Sequence, residues 1–504
     1  MNSSELQLVE QTLKGLLTPD NAARASAEQQ LGQLMSNKIG LVLCCSQLLT
    51  SVTDLNTLSY AAVIIKKIIK PGTDEEVSQV WKDATPEMKE KIKSNTMAAL
   101  SSCKNKPLLK KIADVATYLI ENIYGNNEKW DDALKYIING FTVELTPETS
   151  LGVEIAVYIL SKVFNTIQRD IESGIDTFVN GFNKFFKVKS LELKTNSTEA
   201  VCEILTGYLS KKNKKKFKEF IFYILQTILR CLEENDLNNL KISLFALSDL
   251  ASTEASMLKK SFSDIFILMG KIYEKNDLDE DAIKNVSFEV LLSIIDRYPE
   301  VISKDKEKLS ALINALFKYG MQIEDTIDED WLTPKSTSIS EESFIPEEKL
   351  DEALSLLDRL ILAVGPANCL ELTSSTVMEL LNHSNEHWKY QYIAFMSIGK
   401  IIEYVEDINS IEKVIGIILS QVNNENPKIR FACLYCIYQL TERYGDSFLD
   451  LYHKTVLPTI NELFKKETVL RVLISYVIHC RQFWKRHRNQ LSMRTFRTSL
   501  TLFS

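Results

Sequence analysis

The chain repeats itself. The stretch from Trp388 to Asp407 lies without gaps on Pro427 to Asp446, a period of 39 residues. Lys389 falls on Lys428, Ile398 on Ile437, Glu403 on Glu442 and Asp407 on Asp446. Within the second copy Ile429, Ala432, Cys433, Cys436, Ile437 and Leu440 recur at alternating steps of three and one. Such spacing gathers apolar side chains on one face of a helix with 3.6 residues per turn. A unit of about 40 residues holding two helices is in the HEAT and armadillo range, whereas tetratricopeptide and ankyrin units are shorter. One such unit cannot bury its apolar face alone, so units must stack.

The same signal runs through the rest of the sequence. Leu109, Ile112, Ala116, Leu119 and Ile123 form one stripe, and Ala61 to Ile69 carries apolar pairs at helical spacing. Only 16 Gly and 11 Pro occur in 504 residues, too few for the closely spaced turns of a β-sandwich. The expected fold is all-α: a HEAT-repeat α-solenoid, a right-handed superhelix of about ten antiparallel hairpins without β-sheet. Hairpins are predicted at 4–36, 39–70, 129–168, 216–260 and 411–446, among others. The chain divides into N-terminal repeats at 1–135, middle repeats at 136–322, an insertion at 323–348, further repeats at 349–467 and a tail at 468–504.

The motifs that would carry catalysis fail on context. No GxGxxG and no GxxxxGK[ST] occurs, which removes the common phosphate-cradling loops. His383-Ser384-Asn385-Glu386-His387 matches a zinc-peptidase pattern, but it falls in the turn of the 39-residue repeat and not on a rigid helix. Cys433 and Cys436 form a lone CxxC on an apolar face and read as core. The run Lys211-Lys212-Asn213-Lys214-Lys215-Lys216 reads as a solvated loop between helices, with a localisation signal or phosphate patch as the alternative. We expect no enzyme, no metal and no cofactor. Apolar runs such as Phe220–Leu225 are far shorter than the roughly 18 residues of a spanning helix, and no signal peptide or membrane insertion is expected. Nine scattered cysteines suit a reducing compartment.

Charge is unevenly distributed. Residues 468–504 hold seven Lys or Arg and no acid, so the net −8 of the whole chain becomes −15 over the first 467 residues. A chain this acidic suits basic ligands and disfavours direct nucleic-acid binding. Glu403 and Glu442 occupy one phase of successive second helices and are candidates for a cargo-binding acidic ladder, or else ordinary solvated charges. The insertion 323–348 has nine acids against one Lys and contains Trp331. Like charges leave nothing inside it to hold it compact. It is predicted to be mobile without a ligand and to dock a basic partner through Asp325, Asp328, Glu329, Asp330 and Trp331, a passive loop being the alternative.

These residues also resemble a family. Ala27-Glu28-Gln29-Gln30-Leu31, Ala61 to Ile68 with Lys66-Lys67, Leu109 to Ala116, and Gly125-Asn126-Asn127 followed by Trp130 are similar to the opening repeats of the importin-β (karyopherin-β) family. The Asp330-Trp331 insertion, Trp388-Lys389-Tyr390 and Asn426-Pro427-Lys428-Ile429-Arg430 resemble its karyopherin beta three (importin five) branch. Gln391 and Leu58 stand where arginines are usual, Asp131 replaces a proline, and the likeness stops near residue 467. The chain is about half a typical receptor of this kind. The resemblance implies a nuclear import receptor that binds basic cargo signals on its concave face. It implies contact with Phe-Gly nucleoporins, release of cargo on binding Ran-GTP, and shuttling between cytoplasm and nucleus as a monomer. It implies Ran contacts among the N-terminal repeats, for which Glu28, Lys66, Lys67 and Asp114 are candidates. A scaffold of HEAT repeats without Ran binding is the alternative.

Overall fold

The computed structural model describes residues 3–72, 77–275, 281–334 and 346–477. Among these the chain is helical throughout, without a strand. It divides into two compact units, 1–291 and 292–504.

In the first unit, helices alternate as hairpins: Ser3–Leu16 with Asn21–Leu34, Lys38–Ser51 with Leu55–Ile69, and Pro86–Ser102 with Lys106–Gly125. Asp131–Thr142 with Ser150–Ile171, Ile175–Phe185 with Leu191–Thr206, and Phe220–Glu233 with Leu237–Leu258 follow. Second helices begin at Lys106, Ser150, Leu191 and Leu237, 41 to 46 residues apart. Each packs on the second helix of the next hairpin, which is the stacking the repeat period requires. The turns are cut by short polar caps. Asp20, Asp54, Thr85, Asn105, Ser190 and Asp236 each accept a bond from an otherwise orphaned N–H in the first turn. The stripe from Leu109 to Ile123 is buried as read from its spacing. Phe141, Phe178, Phe182, Phe185, Phe217 and Phe220 form a contiguous aromatic core between neighbouring hairpins.

The lysine run departs from its sequence reading. It is not a loop but the short helix Lys211–Phe217, because Lys214 is buried against Glu254 and Lys216 reaches Asp176 at 2.6 Å. Glu254 itself interrupts the helix Leu237–Leu258 with φ −131° and ψ 45°.

In the second unit Lys306–Gly320 pairs with Glu348–Val364, and Pro366–Asn382 with Trp388–Ile401. Glu412–Gln421 pairs with Pro427–Tyr444, and Asp446–Lys466 is followed by helical residues 470–477. The self-similar helices Trp388–Ile401 and Pro427–Tyr444 are stacked second helices, with Cys436 Sγ 2.8 Å from the carbonyl of Phe395. Cys433 and Cys436 are both fully buried. In the intervening turn His387 caps the helix Trp388–Ile401, its Nδ1 accepting from the Lys389 N–H at 3.2 Å, and His383 Nδ1 lies 2.7 Å from Glu386. The tail beyond residue 477 lies outside the described residues.

Candidate interaction surfaces

The second helices of the first unit carry a lattice of charges linking one hairpin to the next. Lys66, in the last turn of Leu55–Ile69, donates to Asp114 of the following second helix at 2.9 Å. Tyr158, one hairpin further, donates to the same carboxylate at 2.6 Å. Lys106 bridges Glu154 at 2.6 Å and Glu192 at 2.5 Å, and Lys162 meets Glu199 at 2.5 Å. The hydrogen bond to Asp114 holds the Lys66 ammonium above its ordinary range. At Glu154 burial outweighs its lysine and pushes the carboxyl up; at Lys106, burial pulls the other way but its two carboxylates together outweigh it. Both values thus rise: for the lysine this favours the charged form, and for Glu154, the more deeply buried partner, it disfavours it. Of the four N-terminal candidates, Lys66 and Asp114 are thus joined. Glu28 and Lys67 stand exposed on their helices.

Some carboxylates beside this lattice form no ion pair among the described residues. Glu121, Glu203 and Asp249 lie on three second helices, and among the described residues no ion pair reaches them. Burial pushes all three carboxyls up, helped at Glu203 by the neighbouring Glu199. Glu203 and Asp249 line a cleft of about 310 Å³ together with Lys241 and Phe245, the latter 46% exposed. In the second unit Asp351 is likewise raised by burial. Sequence reading missed these four. Their only signal is an acid beside the apolar stripe of a second helix, which most solvated helix charges share.

The acidic ladder is less regular than its phase suggests. Glu442 is half-buried within the helix Pro427–Tyr444. Glu403 is exposed on a 3-10 turn, Ile402–Tyr404, because the preceding helix tightens where Tyr404 donates to Asp358.

The insertion differs most from expectation. Its described part is docked on the chain's own helices. Asp328 caps the short helix Glu329–Leu332 by accepting from the Trp331 N–H at 2.6 Å. Trp331 is 5% exposed, edge-on to Phe431 at 5.9 Å, with the Lys428 ammonium 5.4 Å and the Arg471 guanidinium 5.3 Å from its ring. Arg471 Nε donates to the Trp331 carbonyl at 2.6 Å. Asp325 pairs with Lys389 at 2.6 Å, and that lysine holds its carboxyl below the usual range. Apart from the local cap at Asp328, the cations that hold its described part lie on later repeats. Trp331 therefore already fills an internal slot instead of waiting for a partner's groove. Residues 335–345 lie outside the described residues.

Comparison with known proteins agrees with this architecture. A family profile described as "IPO5-like, TPR repeats" matches residues 104–268. A probable importin-5 homolog of Dictyostelium discoideum is 23% identical over 409 residues, which cover 80% of this chain and 36% of that protein. Crystal structures of Kap121p superpose with a TM-score of 0.69, and of Kap121p bound to RanGTP with 0.68, both at 17% identity. Each superposition covers 96% of this chain and 45% of the solved one. The chain thus spans less than half the length of the relatives it matches.

Proposed function

Taking the chain as a member of the importin-β family, matched to the N-terminal part of its relatives, we propose that it is a nuclear import receptor for basic cargo. One observation carries the reading: Glu121, Glu203 and Asp249 are partly desolvated carboxylates on second helices that form no ion pair among the described residues. A lysine- or arginine-rich segment laid along these helices supplies the missing charge, and the exposed ring of Phe245 offers a face for cation–π contact. Glu403 and Glu442 extend the basic-ligand surface in the second unit. Cargo release falls to a Ran-type GTPase in its GTP state, by analogy with Kap121p bound to RanGTP, with Glu28, Lys66, Lys67 and Asp114 as its contacts. Phe-Gly nucleoporins are the partners of passage, and the receptor shuttles between cytoplasm and nucleus as a monomer. Of the insertion's acids, Asp325, Asp328, Glu329 and Asp330 remain proposed partner contacts, with Trp331 joining them only when undocked.

The test uses the full chain and a fluorescent lysine- and arginine-rich peptide, read by anisotropy at low and high salt. Glu121→Gln/Glu203→Gln/Asp249→Asn should weaken binding at least tenfold at low salt, and RanGTP but not RanGDP should displace the peptide. Unchanged affinity in the triple variant would remove the acidic surface as the ligand site.

A further inference from the structure

In a stack of repeats each unit touches only its neighbours, so every interface sets its own spacing. The insertion breaks that rule. It leaves the hairpin Lys306–Gly320/Glu348–Val364 and ties three later repeats to it. Asp325 holds Lys389 at the start of the next second helix at 2.6 Å. The repeat after that contributes Lys428, whose ammonium pairs with Glu347 at 2.8 Å and faces the rings of Trp331, Trp388 and Tyr392 at 5.4, 5.2 and 6.0 Å. Trp331 and Glu347 both belong to the insertion, on its earlier and later described stretches, so one buried lysine grips both. The Tyr392 hydroxyl also donates to Glu347. Arg471, in the fourth repeat, closes the series on the carbonyl and ring of Trp331.

We propose that the described part of the insertion is an internal staple that locks the spacing of four successive repeats, with Trp331 as its removable pin. Pairwise repeat contacts would let each interface slide independently. A tie between repeats that are not neighbours fixes the sum of their displacements, so spacing can change only when Trp331 leaves its slot. The slot does not satisfy the pin in full: its indole N–H is buried and finds no acceptor among the described residues. A ligand that needs a different spacing of these second helices must therefore compete with the staple. This inference does not depend on what that ligand is.

Hydrogen exchange of the full chain tests it. Trp331→Ala should speed exchange at least tenfold in the first turns of Trp388–Ile401 and Pro427–Tyr444 and in residues 470–477, while amides at 106–125 stay as they were. Trp331→Phe, which keeps a ring against Lys428 and Phe431, should restore most of the protection. If Trp331→Ala does not fold, Arg471→Gln is read in the same way, because it removes the guanidinium from the Trp331 carbonyl while leaving the tryptophan in place. Faster exchange confined to 323–334 would overturn the staple and leave Trp331 as local packing.

Discussion

Lys428 carries a buried charge pair in the second unit that a single change would break. Its side chain is 5% exposed and its partner Glu347 10%, with 2.8 Å between ammonium and carboxylate. Replacing it with Met keeps the apolar stem and deletes the charge. Glu347 is then left with the Tyr392 hydroxyl as its hydrogen-bond donor. Breaking one side of a buried pair costs about 3–5 kcal/mol, because the remaining charge stays desolvated. Contact of the ammonium with aromatic faces adds up to about 2 kcal/mol where desolvated. The thioether of Met still packs on those rings, and the charge of Arg471 stays near Glu347, so the lower end of the range is expected. About 3 kcal/mol corresponds to roughly a 150-fold loss of protection. A stack of repeats need not unfold in one step, so hydrogen exchange at 388–392 and 428–431 is the assay, with urea unfolding as support. Lys428→Met/Glu347→Gln removes both charges and should recover at least 2 kcal/mol of the loss, roughly 30-fold in protection. A loss below threefold in the single variant, or a double variant no better than the single, would refute the buried pair as the source of stability.

Three further outcomes are expected. Burial alone would raise the Glu467 carboxyl, but Arg430, bonding it at 2.6 and 2.8 Å, and the N–H groups of Thr468 and Val469 hold it below its usual value. A depressed carboxyl stabilises the fold above its unfolded value of about 4.3 and loses that contribution as pH falls through the folded value. Thermal midpoints of Arg430→Gln should thus fall well below the parent at pH 6 and converge with it towards pH 3; a constant gap would contradict this. Gly399→Ala would place its Cβ 2.4 Å from the buried Tyr435 ring, and overpacking of about 1–3 kcal/mol outweighs the helix gain of about 1 kcal/mol, so the midpoint should drop and Gly399→Ala/Tyr435→Leu should regain part of it. Burial pushes the thiols of Cys44, Cys231 and Cys369 up to about 11, so peptide mapping after iodoacetamide at neutral pH should find the half-exposed Cys103 modified well before them.

Much of the fold was legible because helical burial is periodic and local. The stripe at Leu109–Ile123 and the stacking of Trp388–Ile401 on Pro427–Tyr444 are each written within a few turns or one repeat of sequence. The fate of charges was not. Nothing near Lys66 in the chain announces Asp114, 48 residues on, and nothing near Trp331 announces Arg471, 140 residues on. The spacing in the insertion conveyed only mutual repulsion, and its net charge implied mobility; in its described part, cations from three later repeats reverse that outcome. Likewise the lysine run 211–216 looked solvated until Glu254 came within reach of Lys214. Apolar side chains need only an apolar face, which periodicity supplies, whereas a buried charge needs one particular partner at hydrogen-bond distance, and the stacking of repeats alone decides which residue that is.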